Sequence, residues 1–154
     1  MKFLLQLGLL ATIVFIMGCR FGTATQTPVM QETLTVDFRS GNRGVLTNNT
    51  YSGPIVIQVE GVGQASGLEW SDAFYIYTDS DGNPIQPWHP TEFYNWSLWI
   101  NGEPVDALVS SIPAYSSSHI YVFIIDAPGG QLSFAVGDTG TDDNSGSYTI
   151  SILK

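Results

Sequence analysis

Residues 132–153, LSFAVGDTGTDDNSGSYTISIL, hold two runs of alternating apolar and polar residues around a loop of turn formers. A period of two is the mark of a half-buried strand, because successive side chains point to opposite faces of a sheet. Leu132 to Val136 and Ser147 to Leu153 therefore read as strands. Between them Asp138, Asp142, Asp143 and Asn144 lie within seven residues, interleaved with Gly and Thr.

The same period continues upstream. Thr33 to Phe38 alternates with Leu34, Val36 and Phe38 inward, and Ile55, Ile57 and Val59 share one face of the run from Ile55 to Glu60. Ala73 to Thr78, Ser97 to Ile100 and Ile120 to Ile125 are further strands, about seven in all. Turns separate them: Ser40-Gly41-Asn42, Gly53-Pro54, a loop punctuated by Gly61, Gly63 and Gly67, and Pro128-Gly129-Gly130. Asn101-Gly102 is the strongest two-residue hairpin signal, turning into Glu103-Pro104-Val105. Outside the first eighteen residues no stretch carries a helical stripe. Short strands at this spacing predict an all-β fold, a single β-sandwich of jelly-roll or lectin-like form, with a barrel as the lesser alternative.

Composition agrees. Of 154 residues 44% are hydrophobic, 12% aromatic and only 12% charged, which excludes a disordered chain and a charged helical coil. Five basic residues against fourteen acidic ones give a net charge of −9. Such a surface repels phosphate backbones, so no nucleic-acid partner is expected.

The N-terminus reads as an address. Lys2 precedes an apolar run from Phe3 to Met17, about as long as a signal-peptide core and short for a membrane span. Cys19, the single cysteine, excludes an internal disulfide. Ile16-Met17-Gly18-Cys19 resembles the lipobox of bacterial lipoproteins, in which the peptidase cuts before a cysteine that carries lipid. The resemblance implies a signal peptide at 1–18 and lipid on Cys19; the polar, aperiodic residues that follow read as a tether, giving 19–31 as lipidated cysteine and tether, and the period-two pattern from Glu32 onward gives a β-sandwich over 32–154. The lipobox resemblance also implies a lipid-anchored position in the bacterial cell envelope, with Arg20 favouring the outer membrane or cell surface. Each buried acyl methylene adds about 0.8 kcal/mol to membrane attachment.

The loop at 138–144 is the best candidate for chemistry. Calcium takes six to eight oxygens, and such a loop supplies them from a short length of chain. The same residue types form turns, so a solvated acidic loop is the plain alternative. The run Leu132 to Asp138 followed by Asp143-Asn144-Ser145-Gly146-Ser147-Tyr148-Thr149-Ile150 resembles the C-terminus of the PA-IL-like galactophilic lectins. These are bacterial β-sandwiches that hold calcium in this loop and bind two sugar hydroxyls with it. The resemblance implies metal ligands at Asp138, Asp143 and Asn144, a carbonyl at Gly140 or Thr141, and Asp142 as a substitute. Here the loop is two residues shorter, and an aspartate replaces the first of two carboxamides. Tyr51 to Ile57 resembles the family's second strand, with Ser66 near the place of a further carbonyl. His89-Pro90 is similar to a histidine-proline in the sugar loop, with Glu92 near a glutamine position, which implies sugar contacts at His89 and Glu92; Trp88 beside them is a candidate to stack on the sugar ring.

Elsewhere Asp79-Ser80-Asp81-Gly82-Asn83 shares its donors with the start of an EF-hand, but lacks the distal glutamate and reads first as a hairpin turn. Trp88, Phe93, Tyr94, Trp96 and Trp99 either fill the interior or offer a stacking surface, and Trp96 and Trp99 cannot both face inward on one strand. His89, His119 and the Ser116-Ser117-Ser118 run form no recognisable catalytic motif, and no enzyme is expected. The expected function is calcium-dependent binding of galactose-type glycans. The alternative is a structural or protein-interaction β-sandwich with no sugar ligand.

Overall fold

The computed structural model describes residues 28–89 and 97–154. In chain order its strands are β1 (Met30–Asp37), β2 (Val45–Leu46), β3 (Ser52–Ser66), β4 (Glu69–Ser71), β5 (Ile76–Thr78), β6 (Pro84–Trp88), β7 (Leu98–Ile100), β8 (Glu103–Pro104), β9 (Ile120–Pro128), β10 (Ser133–Val136) and β11 (Ser145–Leu153). A 3-10 turn, Phe38–Arg43, follows β1, and a four-residue helix, Val105–Leu108, follows β8. The fold is an all-β sandwich. A seven-stranded sheet has the order β1-β11-β3-β4-β5-β6, with β9 also on β3, and a four-stranded sheet has the order β2-β10-β7-β8. All pairings are antiparallel.

The alternation in sequence becomes the core. Ile55, Ile57 and Val59 of β3, Tyr121, Phe123 and Ile125 of β9, and Tyr148, Ile150 and Ile152 of β11 all point inward from the large sheet. They meet Leu98, Ile100, Phe134 and Val136 of the small one in a single cluster. Burying each of these side chains contributes roughly 1.5–3 kcal/mol. Asn101 and Gly102 both take positive φ, 53° and 84°, as the tight hairpin between β7 and β8 requires.

Gly53-Pro54 is not a turn but part of β3, paired with Ala127 and Asp126 of β9. Two further expectations are corrected. The glycine-punctuated stretch from Gly61 is not a loop, because β3 runs through it to Ser66 while pairing with β11 as far as Ser145↔Gln64. Gly61 and Gly63 serve close approach, and a Cβ on Gly61 would meet the Ser147 carbonyl oxygen. A Cβ on Gly63 would lie 2.5 Å from the Phe38 ring, so the strand passes beneath that ring only without a side chain. The second correction concerns Ala73 to Thr78, where only Ile76–Thr78 is strand. Asp72 Oδ1 accepts from the backbone N–H groups of Phe74 (2.9 Å) and Tyr75 (2.8 Å), and this local turn replaces the ladder.

Candidate functional site

The acidic loop leaves β10 at Val136 and enters β11 at Ser145, so both sheets hold it. Asp138 and Asn144 meet across it. Asn144 is 1% exposed, and its Nδ2 donates to Asp138 Oδ2 (2.9 Å) and to the Phe38 carbonyl (3.0 Å). Asp138 Oδ1 accepts from the Gly140 N–H at 3.0 Å. These bonds fix the carboxamide and leave Asn144 Oδ1 buried without a hydrogen-bond partner among the described residues. An orphaned buried acceptor is uncommon and calls for a reason.

The 3-10 turn is locked onto the same loop. Asn42 N–H donates to the Asp138 carbonyl (3.0 Å), and Arg39 Nε donates to the Asn144 carbonyl (3.0 Å). Gly41 sits at φ 49°, and a Cβ there would lie 2.6 Å from both the Asp138 carbonyl oxygen and Thr141 Cγ2. Ser40, Asn42, Arg43, Asp138, Thr139 and Thr141 line a recess of about 200 Å³ at this junction.

The remaining loop residues diverge. The Thr141 carbonyl accepts from Asn144 N–H at 3.4 Å, Asp142 is exposed, and Asp143 Oδ2 faces the Gly67 N–H at 3.4 Å. Among the described residues no group of three or more His, Cys, Asp or Glu side chains converges as a metal site. Of the candidate ligands, the structure brings together the Asp138 carboxylate and the Asn144 carboxamide.

Trp88 and His89 lie elsewhere. Trp88, 44% exposed, ends β6, the outermost strand of the large sheet and four places from β11 in the sheet order. His89 packs edge-on to Tyr75 and places Nε2 3.5 Å from Asp106 Oδ2. The structure does not bring this pair to the acidic loop. Glu92 and Cys19 lie outside the described residues, as do Phe93, Tyr94 and Trp96. The Asp79–Asn83 loop is a side-chain-capped turn, with Asp79 Oδ1 accepting from Asp81 N–H (3.0 Å) and Asn83 N–H (2.8 Å). Hydrogen bonds, that from Asn83 foremost, hold its carboxyl below the usual range.

A second polar cluster escaped the sequence reading. The β3 edge facing away from β11 pairs with β9 up to Glu60↔Ile120 and with β4 from Gly63↔Ser71, so two strands part there. Fully buried Asp72 clips them together: Oδ2 accepts from His119 Nδ1 (2.9 Å) and from the Tyr121 hydroxyl (2.8 Å). Tyr77 lies over the His119 ring at 4.6 Å, and His119 itself has φ 53°. Burial first, and then the Asp72 charge, raise the Tyr77 hydroxyl well above the phenol range; burial is also the main cause for Tyr121. The only sequence signal was Asp72 itself, a polar break before an apolar run, and nothing in that run names His119 as its partner.

Comparison of the chain with protein-family models, with curated proteins and with solved structures finds no match in any of the three.

Proposed function

We propose that this chain is a lipid-anchored envelope protein whose β-sandwich binds carbohydrate through a calcium ion in the 138–144 loop. One observation carries the metal: among the described residues Asn144 Oδ1 is buried and unpartnered, on a carboxamide whose Nδ2 bonds the Asp138 carboxylate, in a loop of oxygen donors. Calcium would satisfy that oxygen and offset the charge of Asp138, and sugar hydroxyls in the adjoining recess would complete its shell. The galactose class of ligand and the lipid on Cys19 rest on the resemblances given above.

The test is thermal unfolding of residues 20–154 in millimolar calcium and in EDTA, followed by a glycan array with calcium present. A calcium-dependent rise in melting temperature with array hits supports the reading. A single site stabilises by about 2.7 kcal/mol when the ion is at 100 times its Kd. No rise removes the metal. For the anchor, Cys19→Ser in the full chain should move the protein from the membrane to the soluble fraction.

The loop also closes on its own hydrogen bonds, Gly140 to Asp138 and Asn144 to Asp138. That favours, as second reading, a structural or protein-interaction sandwich in which the loop is only braced. A melting shift without array hits would select it.

A further inference from the structure

Asn42 and Arg43, the last two residues of the 3-10 turn, line two recesses at once. On one side lies the recess bounded by Asp138 and Thr141. On the other lies a recess of about 280 Å³, walled by Trp99, Gly102, Ser133 and Ala135. A chain laid across Arg43 therefore enters both.

Trp99 stands on the outer face of β7, since Leu98 and Ile100 on either side of it are buried in the core. Its cross-strand neighbours are Ala135 and Pro104, both small. Gly44 keeps the next place bare: it has φ 55°, and a Cβ there would lie 2.4 Å from the Phe134 carbonyl oxygen and 2.9 Å from Ala135 Cβ. The Trp99 Nε1 is shielded from water and has no acceptor among the described residues, so the exposed part of this half-buried side chain is hydrocarbon. At its margin stands Arg43, exposed and without an ion pair among the described residues, next to the Asn42 carboxamide and the Ser133 hydroxyl. An apolar aromatic wall rimmed by hydrogen-bonding groups matches a pyranose ring, which has an apolar C–H face and a rim of hydroxyls.

We infer that the Trp99 recess is a second saccharide subsite, so that the ligand is an oligosaccharide running from the acidic loop across Arg43 onto Trp99. The inference rests on the carbohydrate reading above for its ligand class and adds the ligand's length and course. Trp99 is the stacking residue, and Arg43 bridges the two rings.

The experiment measures binding of galactose, a galactose disaccharide and a galactose trisaccharide to the mature chain in calcium. Wild type should bind the longer saccharides at least tenfold more tightly than galactose. Trp99→Ala should abolish that gain. Ala135→Leu, which keeps Trp99 and fills the recess, should abolish it too, with melting of both variants checked first. A gain that survives both substitutions, or no gain with length while galactose still binds, overturns the subsite and spares the carbohydrate reading. No binding of any of the three, with an empty glycan array, overturns both.

Discussion

Replacing Asn144 by aspartate puts a second carboxylate against Asp138 in a place closed to water. Asn144 Nδ2 is 2.9 Å from Asp138 Oδ2 and 3.0 Å from the Phe38 carbonyl oxygen, and the residue is 1% exposed. Two full charges at that distance repel by about 6 kcal/mol at an effective dielectric constant of 20. Taking up one proton is the cheaper outcome. Holding a carboxyl protonated at pH 7, about three units above its ordinary range, costs about 4 kcal/mol. In EDTA at pH 7 the variant should therefore lose about 4 kcal/mol in urea unfolding. The shared proton raises the pair's folded-state affinity for protons, so stability is present at low pH and lost as pH rises. The deficit should accordingly shrink towards pH 4. Calcium replaces the proton as the neutralising charge, and the loss in millimolar calcium should be at least 2 kcal/mol smaller than in EDTA, a difference of the size one bound ion supplies. Equal losses in calcium and EDTA would show that no ion enters the loop. A loss below 1 kcal/mol in EDTA would show that residues 138 and 144 do not touch.

Asp72→Ala leaves the buried Phe74 N–H and Tyr121 hydroxyl without their acceptor, a loss of about 4 kcal/mol in urea unfolding at 1–3 kcal/mol per stranded buried group; Asp72→Asn keeps an oxygen for the two backbone N–H groups and should lose about half as much. A loss below 1 kcal/mol in the alanine variant would refute the clip. Gly41→Ala forces an L-residue into positive φ, itself about 1–2 kcal/mol, and drives a Cβ against the Asp138 carbonyl and Thr141; it should destabilise the chain and diminish the calcium-linked melting shift, and an unaltered shift would count against the coupling of turn and loop. Burial pushes the Glu32 carboxyl up, but hydrogen bonds from Asn48, Asn49 and Tyr51 outweigh it and hold the group below its usual range. Its contribution is present above the unfolded-state pKa and is lost as pH falls through the lower folded value, so Glu32→Gln should flatten the decline of stability between about pH 5 and 3; identical acid profiles would refute this.

Legibility in the sequence followed the range of the forces concerned. Ile55, Ile57 and Val59 announce their face through local alternation, because the pleat of a strand is a property of consecutive residues; the run from Ile120 to Ile125 is apolar throughout, and only packing made Tyr121, Phe123 and Ile125 its inner face. Asn101-Gly102 announces its turn for the same reason: the demand for positive φ falls on the residues that name it. The Gly61–Gly67 stretch misled, since the cause of Gly63 is Phe38, some two dozen residues earlier and lying across the strand, and that of Gly61 is the Ser147 carbonyl on the neighbouring strand. Asp138 and Asn144 were legible as oxygen donors within one loop. That the carboxamide would be buried, fixed by the Phe38 carbonyl and left with an orphaned oxygen was not.

The sequence by itself determined the all-β class, the alternating core faces, the tight hairpin and the place of the acidic loop, each the product of residues close in the chain. Only the tertiary structure decided that Asp138 and Asn144 meet across the loop, that Trp88 and His89 sit at the far edge of the sheet order, and that Arg43 and Trp99 share a recess. It also decided that Asp72 would clip His119 and Tyr121. These pairings join residues 6 to 106 positions apart, and they depend on strand order and register, which are set by packing two whole sheets against each other rather than by any one segment.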